Sequence, residues 1–212
     1  MYQYLLFDLD GTITDSAEGI TKSVDYALRT VVGIETEDLS TLTCYIGPPL
    51  VDGFMDNHHL DHDTATRCKD AYRARYEQVG LFENKVYDGI PNALARLQQA
   101  GKTIALATSK PEVFAVRILE HFGLTQYFDV ICGATMDGTI SQKDEVITET
   151  LRRLGNPPLS ETIMIGDRYH DMCGAKKHGI DALGVLYGFG SEQELTENGA
   201  TALAKTPEAA AE

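Results

Sequence analysis

The chain has 212 residues, which suits one domain with an insertion or two small domains, and its 43% hydrophobic and 24% charged content is ordinary for a globular protein. A formal charge of −14 disfavours a nucleic-acid polymer as partner, because a phosphate backbone needs a basic face. No apolar run approaches the ~18 residues of a membrane span, and Met1 leads into Tyr4-Leu5-Leu6-Phe7 without a basic leader or cleavage site, so a cytoplasmic protein with no membrane partner is expected.

The first element in chain order is a strand. Tyr4 to Leu9 is apolar, too short for a helix, and runs into Asp10-Gly11, as a buried strand does when it delivers its carboxyl end to a loop. The segment from Ser16 to Lys85 has a different rhythm. Ile20, Val24, Ala27, Leu28 and Val31 recur at helical spacing, charged stretches such as Arg67 to Arg75 follow, and no convincing strand appears. An inserted helical subdomain over 16–85 is the simplest account. Within it, Gly47-Pro48-Pro49 is turn chemistry. Asn57-His58-His59-Leu60-Asp61-His62-Asp63 holds three His and two Asp, and His58 and His62 would share one helical face as transition-metal ligands. A solvated loop between helices explains the run as well, and is the reading favoured.

Beyond residue 85, strands and helices alternate. Helices are expected over 91–100, opened by Pro91 and stopped at Gly101, over 111–122, opened by Pro111 and stopped at Gly123, and over 143–154, stopped at Gly155. Strands are expected over 103–108, 128–133, 162–167 and 182–187. The Ala-rich tail after Pro207 is expected to fray. Alternation of this kind gives the α/β class, a parallel sheet covered by helices. Cys44, Cys68, Cys132 and Cys173 form no CxxC pair and read as reduced thiols.

Ligands of parallel sheets bind outside the carboxyl ends of the strands, so the residues there carry the chemistry. The first strand ends in Asp8 and Asp10, the second in Thr108, Ser109 and Lys110, the fourth in Gly166 and Asp167 with Asp171 just beyond, and Lys143 opens a helix after the third. Clustered carboxylates repel unless a cation sits among them, and all-oxygen ligation suits Mg²⁺. Asp8 and Asp10 are two apart, so in extended backbone both would project to one side, one to attack phosphorus and the other to move a proton. Thr108, Ser109 and Lys143 would hold the phosphate oxygens.

Asp8-Leu9-Asp10-Gly11-Thr12, Thr108, Lys143 and Gly166-Asp167-Arg168-Tyr169-His170-Asp171 resemble, in order, the four motifs of the haloacid dehalogenase superfamily. The resemblance implies a Rossmann-like core of residues 1–15 and 86–212 with a helical cap over 16–85. It also implies Mg²⁺ held by the Asp8 carboxylate, the Asp10 backbone carbonyl and Asp167, with Asp171 supporting through water. The phosphoglycolate phosphatase-like subgroup is the nearest match. Ile46-Gly47-Pro48-Pro49-Leu50 is similar to a cap stretch of relatives that hydrolyse nucleoside monophosphates, which makes Gly47, Pro48 and Pro49 candidates for specificity. The expected activity is Mg²⁺-dependent hydrolysis of a small phosphorylated metabolite through an aspartyl-phosphate. The alternative is a sugar phosphomutase, disfavoured because no His follows the first motif in Asp15-Ser16-Ala17-Glu18-Gly19-Ile20. A dehalogenase would need neither a proton donor at Asp10 nor Mg²⁺.

Overall fold

Runs that alternate across a pleat become strands and runs with helical spacing become helices, each ended by its own turn residues. In the computed structural model, which describes residues 2–212, the chain opens with β1 (Tyr4–Phe7), β2 (Thr14–Asp15), α1 (Ala17–Val32), α2 (Leu50–His58), α3 (His62–Gln78) and β3 (Lys85–Val86). It continues with α4 (Ile90–Gln99), β4 (Thr103–Pro111), α5 (Glu112–His121), β5 (Val130–Ala134) and α6 (Lys143–Arg153). The last elements are β6 (Thr162–Gly166), α7 (Tyr169–His178), β7 (Asp181–Val185), α8 (Glu192–Glu197), β8 (Ala202–Ala204) and α9 (Pro207–Ala210). Two compact units result, residues 16–85 and residues 1–15 with 86–212. Among the described residues, no helix is long and apolar enough to cross a membrane.

The unit of residues 16–85 is helical because its buried residues fall on helical stripes. α1 turns Ile20, Val24, Ala27 and Leu28 inward, and α3 turns Ala65, Cys68, Tyr72 and Tyr76 inward. These two helices pack together, and α2 packs on α3. The histidine-rich run is divided between elements: His58 ends α2, His62 begins α3, and Asp61 caps α3 by accepting the Thr64 N–H at 2.9 Å. The two histidines therefore do not share a helical face.

The other unit is built on a six-stranded parallel sheet in the order β5-β4-β1-β6-β7-β8. Numbered along the chain, its strands run 3-2-1-4-5-6, the doubly wound arrangement of Rossmann-like folds. Its register sets Tyr4 beside both Thr103 and Thr162, and Phe7 beside both Leu106 and Ile165. On one face Leu6, Ala105, Ala107, Cys132, Met164 and Ala182 meet Val146, Ile147 and Met172 from α6 and α7. Successive strand residues alternate, so the buried Leu5, Phe7, Ile104, Leu106, Ile163 and Ile165 point the opposite way. Burial on both faces is why these strands read as continuous apolar runs.

The tail and the end of β4 differ from expectation, and β8 is a strand the sequence did not announce. The tail does not fray: Pro207 begins α9, the Thr206 hydroxyl accepts the Ala209 N–H at 3.3 Å, and Ala210 is buried. A cap and a little apolar burial suffice to order it. β4 runs on to Pro111 rather than stopping at Thr108, with a break in register between those residues against β5, and α5 starts at Glu112.

Candidate active site

The sheet order determines which loops meet. The direction of winding reverses at β1 and β6, where such sheets open a crevice at their carboxyl ends. Asp8 follows β1 and Asp167 follows β6. After Asp8 the chain turns at once, because the Leu9 carbonyl accepts the N–H groups of Thr12, Ile13 and Thr14 at 3.2, 2.9 and 2.9 Å. Gly11 makes this turn possible with a φ of +82°, and a Cβ there would lie on the Asp167 carboxylate.

One oxygen each from Asp8, Asp167 and Asp171 lies within 4.8 Å of the others, and all three residues are buried. Lys143, the first residue of α6, reaches the same place. Its Nζ lies 2.9 Å from Asp8 Oδ1 and 2.8 Å from Asp171 Oδ1, and it donates to the Ala107 carbonyl at 3.0 Å. Burial pulls the Lys143 pKa down, but the charges of Asp171 and Asp8 outweigh it and leave the ammonium held above its ordinary value. Asp171 lies in the first turn of α7, where its Oδ2 accepts the Arg168 N–H at 3.1 Å. Gly166 makes room for that carboxylate, since a Cβ there would meet it.

Asp10 is placed differently. β1 has already ended, and the Asp10 Oδ2 lies 2.9 Å from Lys110 Nζ. The two acids of the first motif thus sit on two different lysines, where an extended strand would have sent them to one side together. Thr108 is buried at the break in β4, its hydroxyl accepting the Lys110 N–H at 3.2 Å, and Ser109 is half-buried beside it. Gly47, Pro48 and Pro49 belong to the helical unit, where Pro49 immediately precedes α2.

The electrostatics favour a cation among these acids. Burial, with the Asp171 and Asp8 charges, pushes the Asp167 carboxyl well above the usual carboxylate range, against the Phe189 N–H that it accepts. Burial pushes Asp171 up to about 6, opposed by Lys143 and aided by Asp8. One lysine shared by two of three buried acids does not neutralise them. Oxygen donors, tight spacing and surplus negative charge fit a hard divalent cation. Asp8, Asp167 and Asp171 are the side chains that would hold it.

Some residues of the site were not singled out in the sequence. Lys110 stands at a strand end in the sequence without an assigned role, and its Nζ lies 2.9 Å from Asp10 Oδ2. Thr12 donates to Asp167 Oδ1 at 3.4 Å, and the Phe189 N–H donates to Asp167 Oδ2 at 2.7 Å. The glycines on either side of Phe189 are the one local mark of this close approach in the sequence, and they do not say what the Phe189 N–H meets. His170 has its Nε2 buried without a hydrogen-bond partner among the described residues, and burial with the Lys143 and Arg168 charges lowers its pKa to about 4.

Comparison with known proteins gives a consistent result. A family model described as haloacid dehalogenase-like hydrolase matches residues 5–185. A 5′-nucleotidase of Pseudomonas aeruginosa is 46% identical over 194 residues, which span 92% of this chain and 87% of the relative. The tyrosine-protein kinase PtkA of Mycobacterium tuberculosis is 40% identical over 199 residues, spanning 94% of this chain and 67% of the relative. Among solved structures, one described as a predicted phosphatase from Clostridium acetobutylicum has a TM-score of 0.95 at 48% identity, covering 100% of this chain and 97% of that chain.

Proposed function

The chain belongs to the haloacid dehalogenase-like hydrolase family, and from that premise we propose that it is a Mg²⁺-dependent phosphatase acting on a small phosphate monoester. The observation that carries this reading is the Asp8 carboxylate, held on Lys143 among Asp167 and Asp171 at the carboxyl end of the central strand. The 5′-nucleotidase and phosphatase names of the similar proteins support the same bond type.

In this reading Asp8 attacks phosphorus, the phosphorus–oxygen bond to the leaving group breaks, and Asp10 gives that oxygen its proton. Asp10 then takes a proton from water, whose oxygen attacks phosphorus, releasing inorganic phosphate and restoring the Asp8 carboxylate. Thr108, Ser109 and Lys143 hold the equatorial oxygens, where charge stabilisation counts most. Asp8, the Asp10 carbonyl and Asp167 would hold the cation, with Asp171 supporting through water. A Mg²⁺ bound there would supply positive charge that stabilises the phosphate oxygens. The helical unit of residues 16–85 acts as a cap that selects the ester, with Gly47, Pro48 and Pro49 contributing to that choice.

The test is inorganic phosphate release, with Mg²⁺, from a panel of nucleoside monophosphates, phosphoglycolate, sugar phosphates and phosphotyrosine. At least one small ester should turn over, and Asp8→Asn should lower kcat by a thousandfold or more, on the order of the loss of a catalytic nucleophile. A folded wild-type protein that hydrolyses none of them would sink the reading, and an active Asp8→Asn variant would remove Asp8 as nucleophile.

A further inference from the structure

Asp167 is fully buried, yet it lies in a loop, where side chains are rarely well fixed. Two neighbouring loops hold it. From the loop after β7, the Phe189 N–H donates to its Oδ2 at 2.7 Å. Gly188 and Gly190 flank that donor: a Cβ on Gly188 would meet the Gly11 carbonyl and Asp167 Cβ, and a Cβ on Gly190 would meet the Asp167 carbonyl oxygen. From the loop after β1, Gly11 lies against the carboxylate itself, and Thr12 donates to Oδ1 at 3.4 Å. Neither Gly188 nor Gly190 has a positive φ, so close approach, and not an unusual backbone conformation, is what demands glycine at both places.

We propose that the Gly188-Phe189-Gly190 turn is a backbone clamp that positions Asp167 as a cation ligand, a role that rests on the metal-dependent reading above. A carboxylate oxygen has two lone pairs. One on Oδ2 is spent on the Phe189 N–H, which fixes the carboxylate plane and leaves the remaining lone pairs directed by that constraint. The clamp acts through the main chain, so the Phe189 side chain is dispensable and the two glycines are not. Tyr187, at the start of the turn, packs edge-on against Tyr87 with ring centroids 5.1 Å apart and anchors the turn from one side.

The experiment titrates the full-length protein with Mn²⁺, following bound ion by electron paramagnetic resonance or heat, with melting in cation-free buffer as a check of fold. Gly190→Ala and Phe189→Pro should each weaken Mn²⁺ by about 10- to 100-fold, the usual cost of losing a group that orients a metal ligand. Phe189→Ala, which keeps the N–H, should stay within about twofold of wild type by the same argument. In turnover assays the Mg²⁺ concentration for half-maximal rate should rise in Gly190→Ala, while kcat at saturating Mg²⁺ largely recovers. Should Phe189→Pro fail to fold, Gly190→Ala and Gly188→Ala carry the same decision. Wild-type affinity in the folded glycine variants would overturn the clamp, as would a loss in Phe189→Ala equal to that in Gly190→Ala. A wild-type protein that binds no Mn²⁺ would overturn both the clamp and the metal-dependent reading; retained binding in every variant overturns the clamp alone.

Discussion

Lys143 is the residue on which the site's energetics turn. It is almost fully buried and lies within 2.9 Å of Asp8 and 2.8 Å of Asp171. Exchanging it for Met keeps the length of the side chain but leaves two buried carboxylates without their cation, which costs about 3–5 kcal/mol by analogy with other broken buried pairs. Urea unfolding of Lys143→Met should show a loss of that order in cation-free buffer and a smaller loss with saturating Mg²⁺. Equal losses in both conditions would mean that the lysine and the proposed cation do not share the same carboxylates. Lys110 is a different case, because its Nζ lies 2.9 Å from Asp10 Oδ2. The sequence shows both lysines near strand ends, but only the fold assigns each to its acid.

At the scale of elements, α6 illustrates how local chemistry supports a site. Its amino end is capped by Glu145, whose Oε2 accepts the Ser141 and Gln142 N–H groups at 2.8 and 3.0 Å and is held below its ordinary pKa by them. Asp144 is lowered by Lys177, and hydrogen bonds from Arg152 and Arg153 bring Glu149 down to about 2. Each folded pKa is depressed, so the stability these groups contribute is present above the ordinary carboxylate range and is lost as pH falls through the folded values. For Glu149 the window runs from its ordinary 4.5 down to about 2. Urea midpoints measured from pH 5 to pH 2.5 should fall, with a shallower fall in Glu149→Gln. The difference will be small, since these groups are solvated and salt screens them. Helix ends were readable in advance because they are local: Gly101, Gly123 and Gly155 stop the helices with φ of 72°, 64° and 79°. β8 was not readable. Ala202–Ala204 is only three residues long, and it is a strand because β7 pairs with it.

For the molecule as a whole, a charge of −14 means that attraction of a phosphate ester must come from the site and not from the surface. A cation that binds the folded chain should therefore stabilise all of it, by about 2.7 kcal/mol when its concentration is a hundred times its dissociation constant. Melting with increasing Mg²⁺ checks this, and a melting temperature that does not move over that range would count against the cation site. The sheet itself can be probed at Leu6, which is fully buried in the central strand. Leu6→Ala should cost about 2–5 kcal/mol in urea unfolding, as other large-to-small core changes do.

By itself the sequence determined what is written in short stretches. Apolar runs, proline starts and glycine stops locate most of the parallel sheet and its helices, and the ordered motifs pick out Asp8, Asp10, Thr108, Lys143, Asp167 and Asp171. These signals are legible because they depend on residues a few positions apart. The tertiary structure decided which of those residues face one another. Placing β1 between β4 and β6 brings Asp8 to Asp167, and the helix after β5 delivers Lys143 to both Asp8 and Asp171. Asp10 turned to Lys110 because the chain leaves the strand at Phe7 and folds around the Leu9 carbonyl. The Phe189 N–H on Asp167 could not be read at all, since every residue but proline carries that donor and only packing determines where it points.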